Sequence, residues 1–357
     1  MNRSNANFPN HSLCQGENLD FLRMMNSESV DLIATDPPFN SGRNYFANPD
    51  SIAKGAYFPD KWAWSDKMRA RHLNELKKID PKTHYYIECV WQTLGDGALT
   101  SFLLFMSLRF VEMHRVLKPT GSIYLHCDYH ASHYLKQLMD VVFGIGNFRN
   151  EIIWKRYRGK RATKNPRCFA RVTDTILFYT KTDEYNFNLP FSPLRDDYVK
   201  SVYKHNDNDG KGPYRFGGRI RDRKYYLSNS RGIPAVSLWD DINELNGTAG
   251  EATGYPTQKP VELYERIVST SSNKGDVVLD PFCGCATTLV AAENLTRQWI
   301  GIDIHPQARI MVANRIAKTC NLNSPDGSVK AESTLLNLEK DLNIHIFTKE
   351  DFPKRTN

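Results

Sequence analysis

The sequence predicts an α/β fold, a framework of buried strands and helices interrupted by a basic and irregular middle section. Near the start, the run VDLIA, Val30 to Ala34, is a short apolar stretch. Such a run suits a parallel strand buried on both faces. Near the end, the strand DVVLD, a tight turn, the helix TTLVAAENL and the strand WIGIDI follow one another without a break. Between these two stretches the chain is rich in Gly, Asn, Lys and Arg and loses its period.

The elements follow in order. A short amphipathic helix around Leu19 to Met25 leads into the strand Val30 to Ala34. From about 42 to 97 the chain is less regular, with the Trp-rich centre KWAWSDK, and reads as a largely helical insertion or lid. A helix over Phe102 to Leu117 stops at KPTG, where Pro and Gly lie just beyond the last turn. A strand over Ser122 to His126 follows, then a helix over Tyr129 to Phe143. Ile152 to Trp154 and Asp174 to Tyr179 read as strands on either side of KRYRGKRATKNPRCFAR. A polar region runs to about Thr253. Order resumes with the helix in YPTQKPVELYERIVSTSS, whose Pro260 sits near the first turn, where a missing N–H does no harm. The strand Asp276 to Asp280, a helix from Thr287 and the strand Trp299 to Ile304 complete the pattern. Past Lys318 the periodicity is lost.

Bulk properties set limits. The chain has 357 residues, 40% of them hydrophobic, enough for one large domain or two to three small ones. No apolar run approaches the roughly 18 residues that span a membrane. The start, MNRSNANFPNHS, lacks the apolar segment of a secretory signal. Seven scattered cysteines, an odd number, argue for reduced thiols and a cytoplasmic setting. The net charge of +7 suits a nucleic-acid partner without requiring one.

Two strand ends carry candidate chemistry. In DPFCGCATT a strand ends at Asp280, turns through small residues at Gly284 and Ala286, and opens a helix at Thr287. Small residues let a ligand approach the backbone, and a helix start offers free N–H groups. The next strand ends in Asp303, where a carboxylate can accept hydrogen bonds from ribose hydroxyls. No GxGxxG is present, so a dinucleotide pyrophosphate is disfavoured. A ligand with a ribose, a cation and no phosphate fits better. The plainer reading is an ordinary strand–turn–helix corner. Cys283 and Cys285 form a CxC without nearby partners, a poor zinc site.

The other strand end is TDPPFN. Asp36 can accept a hydrogen bond from an amine, and the carbonyl of Pro37 can accept a second. Pro37 and Pro38 fix φ, so both acceptors are held in advance. Phe39 offers a flat face for stacking. Two acceptors and a ring suit an exocyclic amino group on a planar base, whose lone pair is delocalised into the ring. The plainer reading is a proline loop that ends a strand.

Taken together, these motifs resemble the permuted, β-group amino-methyltransferases of DNA, which modify adenine N6 or cytosine N4 with S-adenosylmethionine. Asp36-Pro37-Pro38-Phe39 resembles the catalytic loop, and the turn from Asp280 to Thr288 resembles the cofactor turn. Thr257-Gln258-Lys259-Pro260 resembles the TQKP element, and GENLD at Gly16 to Asp20 resembles the GDxL element near the cofactor adenine. The blocks GSIYLHCDYHASHYLK, FGIGNFRNEIIWKR and ILFYTK are similar to the connecting segments. The resemblance covers roughly 12–180 and 253–318, in the permuted order. It implies a Rossmann-like, mostly parallel sheet with helices on both faces, assembled from both ends of the chain. It implies a catalytic half over 1–155, a target-recognition region over 156–252, a cofactor half over 253–318 and a tail over 319–357.

The resemblance also implies roles. Asp36, Pro37, Pro38 and Phe39 are the catalytic set. Glu17, Asp36, Thr257, Lys259, Pro260, Asp280, Phe282, Gly284, Ala286, Thr287 and Asp303 form the cofactor set. The target base would flip out of the duplex, stack on Phe39 and present its amine to Asp36 and Pro37. Asp before Pro-Pro leans to adenine, where Ser leans to cytosine. Three positions depart from the family pattern. Ala286 replaces a usual Gly, Glu17 a usual Asp, and Phe39 a usual Tyr. If position 286 needs a positive φ, Ala costs of order 1 kcal/mol.

Between Lys155 and Arg171 there are eight Lys or Arg residues and no acid. A second basic stretch holds Lys211, Arg215, Arg219, Arg221, Arg223 and Lys224. Such density neutralises phosphates. The plainer reading is a solvated surface, but the run lies between the two halves of the expected site. Lys155, Arg156, Arg158, Lys160, Arg161, Lys164, Arg167, Arg219, Arg221 and Arg223 are therefore the expected DNA contacts. His126, Asp128, His130 and His133 match no zinc spacing, and no metal is expected. The expected reaction is adenine-N6 methylation of duplex DNA, with cytosine N4 as the nearest rival. An RNA guanine-N2 methyltransferase and a DNA-binding protein on a decayed fold are the more distant ones. A cognate restriction endonuclease and a homodimer through the apolar helix near Phe102 to Phe110 are the further expected partners.

Overall fold

The computed structural model describes residues 6–157, 167–217, 222–246, 249–320 and 339–356. The first elements are β1 (Ser12–Gln15), α1 (Asn18–Met24), β2 (Val30–Thr35), β3 (Asn44–Phe46), β4 (Tyr57–Pro59), α2 (Asp66–Ile79) and α3 (Pro81–Leu94). Then come α4 (Ala98–Val116), β5 (Leu117–Cys127), α5 (Ser132–Phe143), β6 (Phe148–Lys155) and β7 (Thr173–Thr180). The section β8 (Phe191–Ser192), α6 (Asp196–Val202), β9 (Tyr214–Gly217), β10 (Arg223–Tyr226) and β11 (Ile233–Pro234) follows. Last are β12 (Leu238–Trp239), α7 (Val261–Ser271), β13 (Val277–Asp280), α8 (Thr287–Asn294), β14 (Gln298–Asp303), α9 (Gln307–Thr319) and β15 (His345–Phe347).

These elements form two compact units, residues 188–236 and the rest of the chain. The larger unit holds a nine-stranded sheet in the order β12-β6-β7-β5-β2-β13-β14-β1-β15. Its pairs are parallel except those made by β7, which runs against both β5 and β6. Side chains alternate between two cores, as the two-residue period of a strand requires. Ile33 of β2, with Ile300 and Ile302 of β14, enters the core shared with α1, α4 and α5, and a register shift between Val30 and Leu32 brings Val30 to the same side. Leu32, Ala34, Val278 and Trp299 enter the core shared with α7, α8 and α9. Burial on both faces explains why these strands read as apolar runs.

Several expectations shift. The run VDLIA contains an acid, Asp31, and it is buried. Its carboxylate accepts from Lys118 Nζ at 2.8 Å and from the Val277 N–H at 2.8 Å, so the strand tolerates it. KPTG does not separate helix from strand: α4 passes directly into β5, whose eleven residues include it. The insertion over 42–97 begins with the β3–β4 hairpin and only then becomes helical. β1 and β15 are too short to show a period. Both add parallel strands beyond β14, and Phe352 is buried in the core, so residues 339–356 belong to the framework. The boundaries expected at 156 and 252 fall elsewhere, because β7 and β12 are strands of the large sheet. Phe102 and Phe110 of α4 are fully buried in this chain's own core, so these two rings are not available to a dimer contact. Among the described residues no helix is long and apolar enough to cross a membrane.

Candidate active site

Parallel neighbours bring their carboxyl ends to one edge, where open α/β sheets hold ligands. Here β1, β2, β13 and β14 end side by side, at Gly16-Glu17, Asp36, Pro281 and Ile304. A cavity of about 490 Å³ opens there. Asp36, Pro37, Pro38, Phe39, Glu17, Thr257, Lys259, Asp280, Phe282, Gly284, Thr287 and Asp303 all line it. Pro260 and Ala286 stand just behind it, as the residues that open α7 and α8.

The turn after β13 is fixed from both sides. Asp280 accepts from the Thr35 hydroxyl at 2.8 Å and from the Phe282 N–H at 3.1 Å. Burial lifts its pKa to about 7, against these bonds, which pull it down. Asp303 accepts from the Gly284 N–H at 2.8 Å and the His305 N–H at 2.7 Å. Burial raises its pKa as well, opposed by the same two N–H groups. A β-carbon at Gly284, where φ is +47°, would lie 3.2 Å from the hydroxyl of half-buried Tyr255, so glycine gives the turn both its left-handed backbone and its close approach to this ring. Ala286 adopts φ +68° and ψ +28°. The position does need a left-handed residue, and alanine bears the strain there. Thr257, also lining the cavity, has φ +63°, a rare conformation for a β-branched side chain. Burial raises both Cys283 and Cys285, so each remains a thiol at neutral pH.

The DPPF loop meets a residue from the other end of the sequence. Lys259 Nζ donates to Asp36 Oδ2 at 2.5 Å and lies 4.9 Å from the centre of the Phe39 ring. The other carboxylate oxygen, Oδ1, is buried and has no hydrogen-bond partner among the described residues. Phe39 stacks on the His126 ring at 5.8 Å, and His126 Nε2 shares a hydrogen bond of 3.0 Å with Asp174. Burial pushes Asp174 up, but His126, Lys259 and Arg156 together hold it below the usual carboxylate range. Beyond the loop, Asn40 and Ser41 donate their N–H groups to buried Asp60 at 2.8 and 2.7 Å.

A second cavity, of about 460 Å³, is lined by Phe39, Asp128, Trp154, Arg156, Asp174 and Glu244. Phe39, Tyr45, Tyr255 and Lys259 border both cavities. Arg156 is one of the expected DNA contacts. Its guanidinium lies 3.1 Å from Asp174 and 3.9 Å from Glu244, within the wall of this cavity. Buried Asp174 and half-buried Glu244 draw it there, and no local pattern in the sequence shows that. Lys155 is half-buried in β6, while Arg167 and Arg223 are exposed. Arg158, Lys160, Arg161, Lys164, Arg219 and Arg221 lie outside the described residues.

Four supporting residues escaped sequence reasoning. Tyr255 and Asp60 are single residues in irregular segments and belong to no motif. Arg109 lies in the apolar helix α4, fully buried; it pairs with Glu17 and donates to Asn18 at 2.7 Å. Arg315 donates to the Cys285 carbonyl at 2.7 Å and the Thr287 hydroxyl at 3.0 Å, bracing the cofactor turn from α9. A cation set among apolar residues at helical spacing was the available signal for both arginines.

Comparison with known proteins agrees with this geometry. The N6/N4 DNA methylase family matches residues 30–314. The type II methyltransferase M.EcaI of Enterobacter cloacae is 29% identical over 81% of this chain and 75% of its own length. The DNA adenine methyltransferase YhdJ of Escherichia coli K12 is 26% identical over 83% of this chain and 79% of its own. The solved PvuII DNA methyltransferase, described as cytosine-N4-specific, has the same fold at a TM-score of 0.51. It is 16% identical and covers 95% of this chain and 94% of its own. With the family match spanning most of its length, the chain belongs to the N6/N4 DNA methylases, enzymes that draw their methyl group from S-adenosylmethionine.

Proposed function

We propose that this protein methylates the N6 amine of adenine at specific sites in double-stranded DNA. One observation carries the reading. Asp36 keeps a buried, unpartnered carboxylate oxygen beside Phe39, where the two cavities meet. A buried acceptor without a donor is costly unless a ligand supplies one. An exocyclic amine supplies one.

The residues of the first cavity fit the cofactor. Asp303 can accept from ribose hydroxyls with the lone pairs its backbone bonds leave free. Bound there, S-adenosylmethionine supplies an electrophilic methyl on a sulfonium. Glu17, Thr257, Lys259, Phe282, Gly284 and Thr287 line the space it needs. Pro260, Asp280 and Ala286 set the shape of the walls. The second cavity takes the flipped base, with Phe39 as its stacking face. Asp36 and the Pro37 carbonyl then orient the amine, and the proton leaves after the amine is methylated.

Adenine is favoured over cytosine by Asp36 ahead of the two prolines. The adenine activity in the name of YhdJ points the same way. A restriction–modification setting, with a cognate endonuclease, agrees with the type II names of M.EcaI and M.HpaI. Residues of the basic middle carry DNA, Lys155, Arg167 and Arg223 among the described ones. The test is the purified protein with S-adenosylmethionine and a random-sequence duplex. N6-methyladenine is expected. N4-methylcytosine would move the target base, and neither mark from a folded, cofactor-binding protein would refute the reading.

A further inference from the structure

The smaller unit, residues 188–236, contains an antiparallel ribbon made of β9 and β10. Its register pairs Arg223 with Gly217, Lys224 with Phe216, Tyr225 with Arg215 and Tyr226 with Tyr214. Residues directly opposite share a face, so the ribbon has two distinct faces. One presents Tyr214, Phe216, Lys224 and Tyr226. The other presents Arg215, Gly217, Arg223 and Tyr225.

The first face is neutralised within the unit. Lys224 pairs with Asp207 and lies 4.7 Å from the centre of the Tyr214 ring. Tyr214 and Tyr226 donate to Asp207 and Asp209 at 2.7 and 2.8 Å. Among the described residues the second face has no acid. Arg215 lies 4.9 Å from the centre of the Tyr225 ring, and its buried Nε has no hydrogen-bond partner among the described residues. A β-carbon at Gly217 would lie 2.8 Å from that ring, so glycine lets Tyr225 lie flat across the strand pair. Arg223 is exposed and makes no ion pair among the described residues.

We infer that this second face reads base edges in the major groove of DNA, with Arg223 and Arg215 as the specificity-determining residues. The inference rests on the DNA methyltransferase reading. A two-stranded ribbon fits the major groove, and an arginine fork matches the O6 and N7 acceptors of guanine. Tyr225 limits the conformations of Arg215, so its fork is partly oriented in advance. The acid-free face matches the negative potential of DNA, while the opposite face is already paired.

Arg223→Ala and Lys224→Ala test this together. Both remove one cation, one residue apart, from opposite faces. Each protein is used to methylate a random-sequence duplex library, and rates are read for every single-base-pair change in the preferred site. Arg223→Ala is expected to lose about 5- to 150-fold discrimination at one G·C pair. Lys224→Ala should keep the full profile. Arg215→Lys, which retains the charge and loses the fork, should relax a neighbouring position. Uniform weakening at every site by Arg223→Ala, with the salt slope reduced by about 1, would mark a phosphate contact and overturn the inference. An unchanged profile would overturn it as well. Equilibrium binding to the same library, scored in the same way, decides the matter even if no methyl is transferred. Loss of methylation in the unaltered protein, with the Arg223-dependent binding profile retained, would count against the enzymatic reading alone.

Discussion

Asp36 and Lys259 form an ion pair whose partners are unequally buried, and this predicts an unequal response to their removal. The Lys259 side chain is 8% exposed and that of Asp36 is 21% exposed. In Asp36→Ala the ammonium keeps its burial and loses its counter-ion. Breaking a buried pair in this way costs about 3–5 kcal/mol, and some solvent access places this site at about 3. At about 2–4 °C per kcal/mol for larger domains, the melting temperature should fall by about 6–12 °C. In Lys259→Met the remaining carboxylate has more contact with water, and the methionine chain refills the apolar stem. That variant should lose only about 1–2 kcal/mol. The double variant has no orphaned charge and should recover to within about 1 kcal/mol of Lys259→Met. Thermal unfolding of the four proteins, checked by urea titration, measures all three differences. Equal losses in the two single variants, or additive losses in the double, would refute the reasoning.

Other outcomes follow from the cofactor turn. The folded pKa of Asp280, about 7, stands above that of an unfolded carboxyl near 3.9. The folded chain therefore keeps a proton that the unfolded chain releases, and stability falls as pH rises from about 4 to about 7. Asp280→Asn removes this slope, so its stability relative to the unaltered protein should be greater at pH 8 than at pH 5, by about 1–4 kcal/mol in urea titrations at both pH values. Ala286→Val puts a branched side chain at a buried left-handed position and should cost more than about 2 kcal/mol of stability, seen in the same titration. Asp303→Asn exchanges one charged acceptor of the turn for a donor. Calorimetry should show S-adenosylmethionine binding weakened by about 10-fold or more; unchanged affinity would remove Asp303 from the site.

The sequence carried the strand ends better than the regions between them. β2, β13 and β14 are buried on both faces, so each reads as an apolar run closed by an acid, and those acids are the ones that meet at the cavity. Ala286 was legible for the same local reason: one residue at one turn, with a predictable conformational demand. The Lys259–Asp36 contact was not legible, because 223 residues separate the partners and the tertiary fold, with α7 packed against β2, brings them together. Arg156 shows the converse. Its neighbours in sequence are basic and suggest a surface, whereas its neighbours in space are Asp174 and Glu244. Tyr255 and Asp60 are single residues in irregular chain, where no periodic signal exists, although Asp60 accepts from Asn40, Ser41 and Trp62. β1 and β15 were missed because strands of four and three residues carry too little pattern.

The measurement that bears most directly on the central claim is nucleoside mass spectrometry of DNA from cells expressing this protein, beside cells expressing folded Asp36→Ala. N6-methyladenine with the unaltered chain, and none with the variant, is the predicted result. The same mark at the same level with Asp36→Ala, or no methylated adenine with either protein, would contradict it.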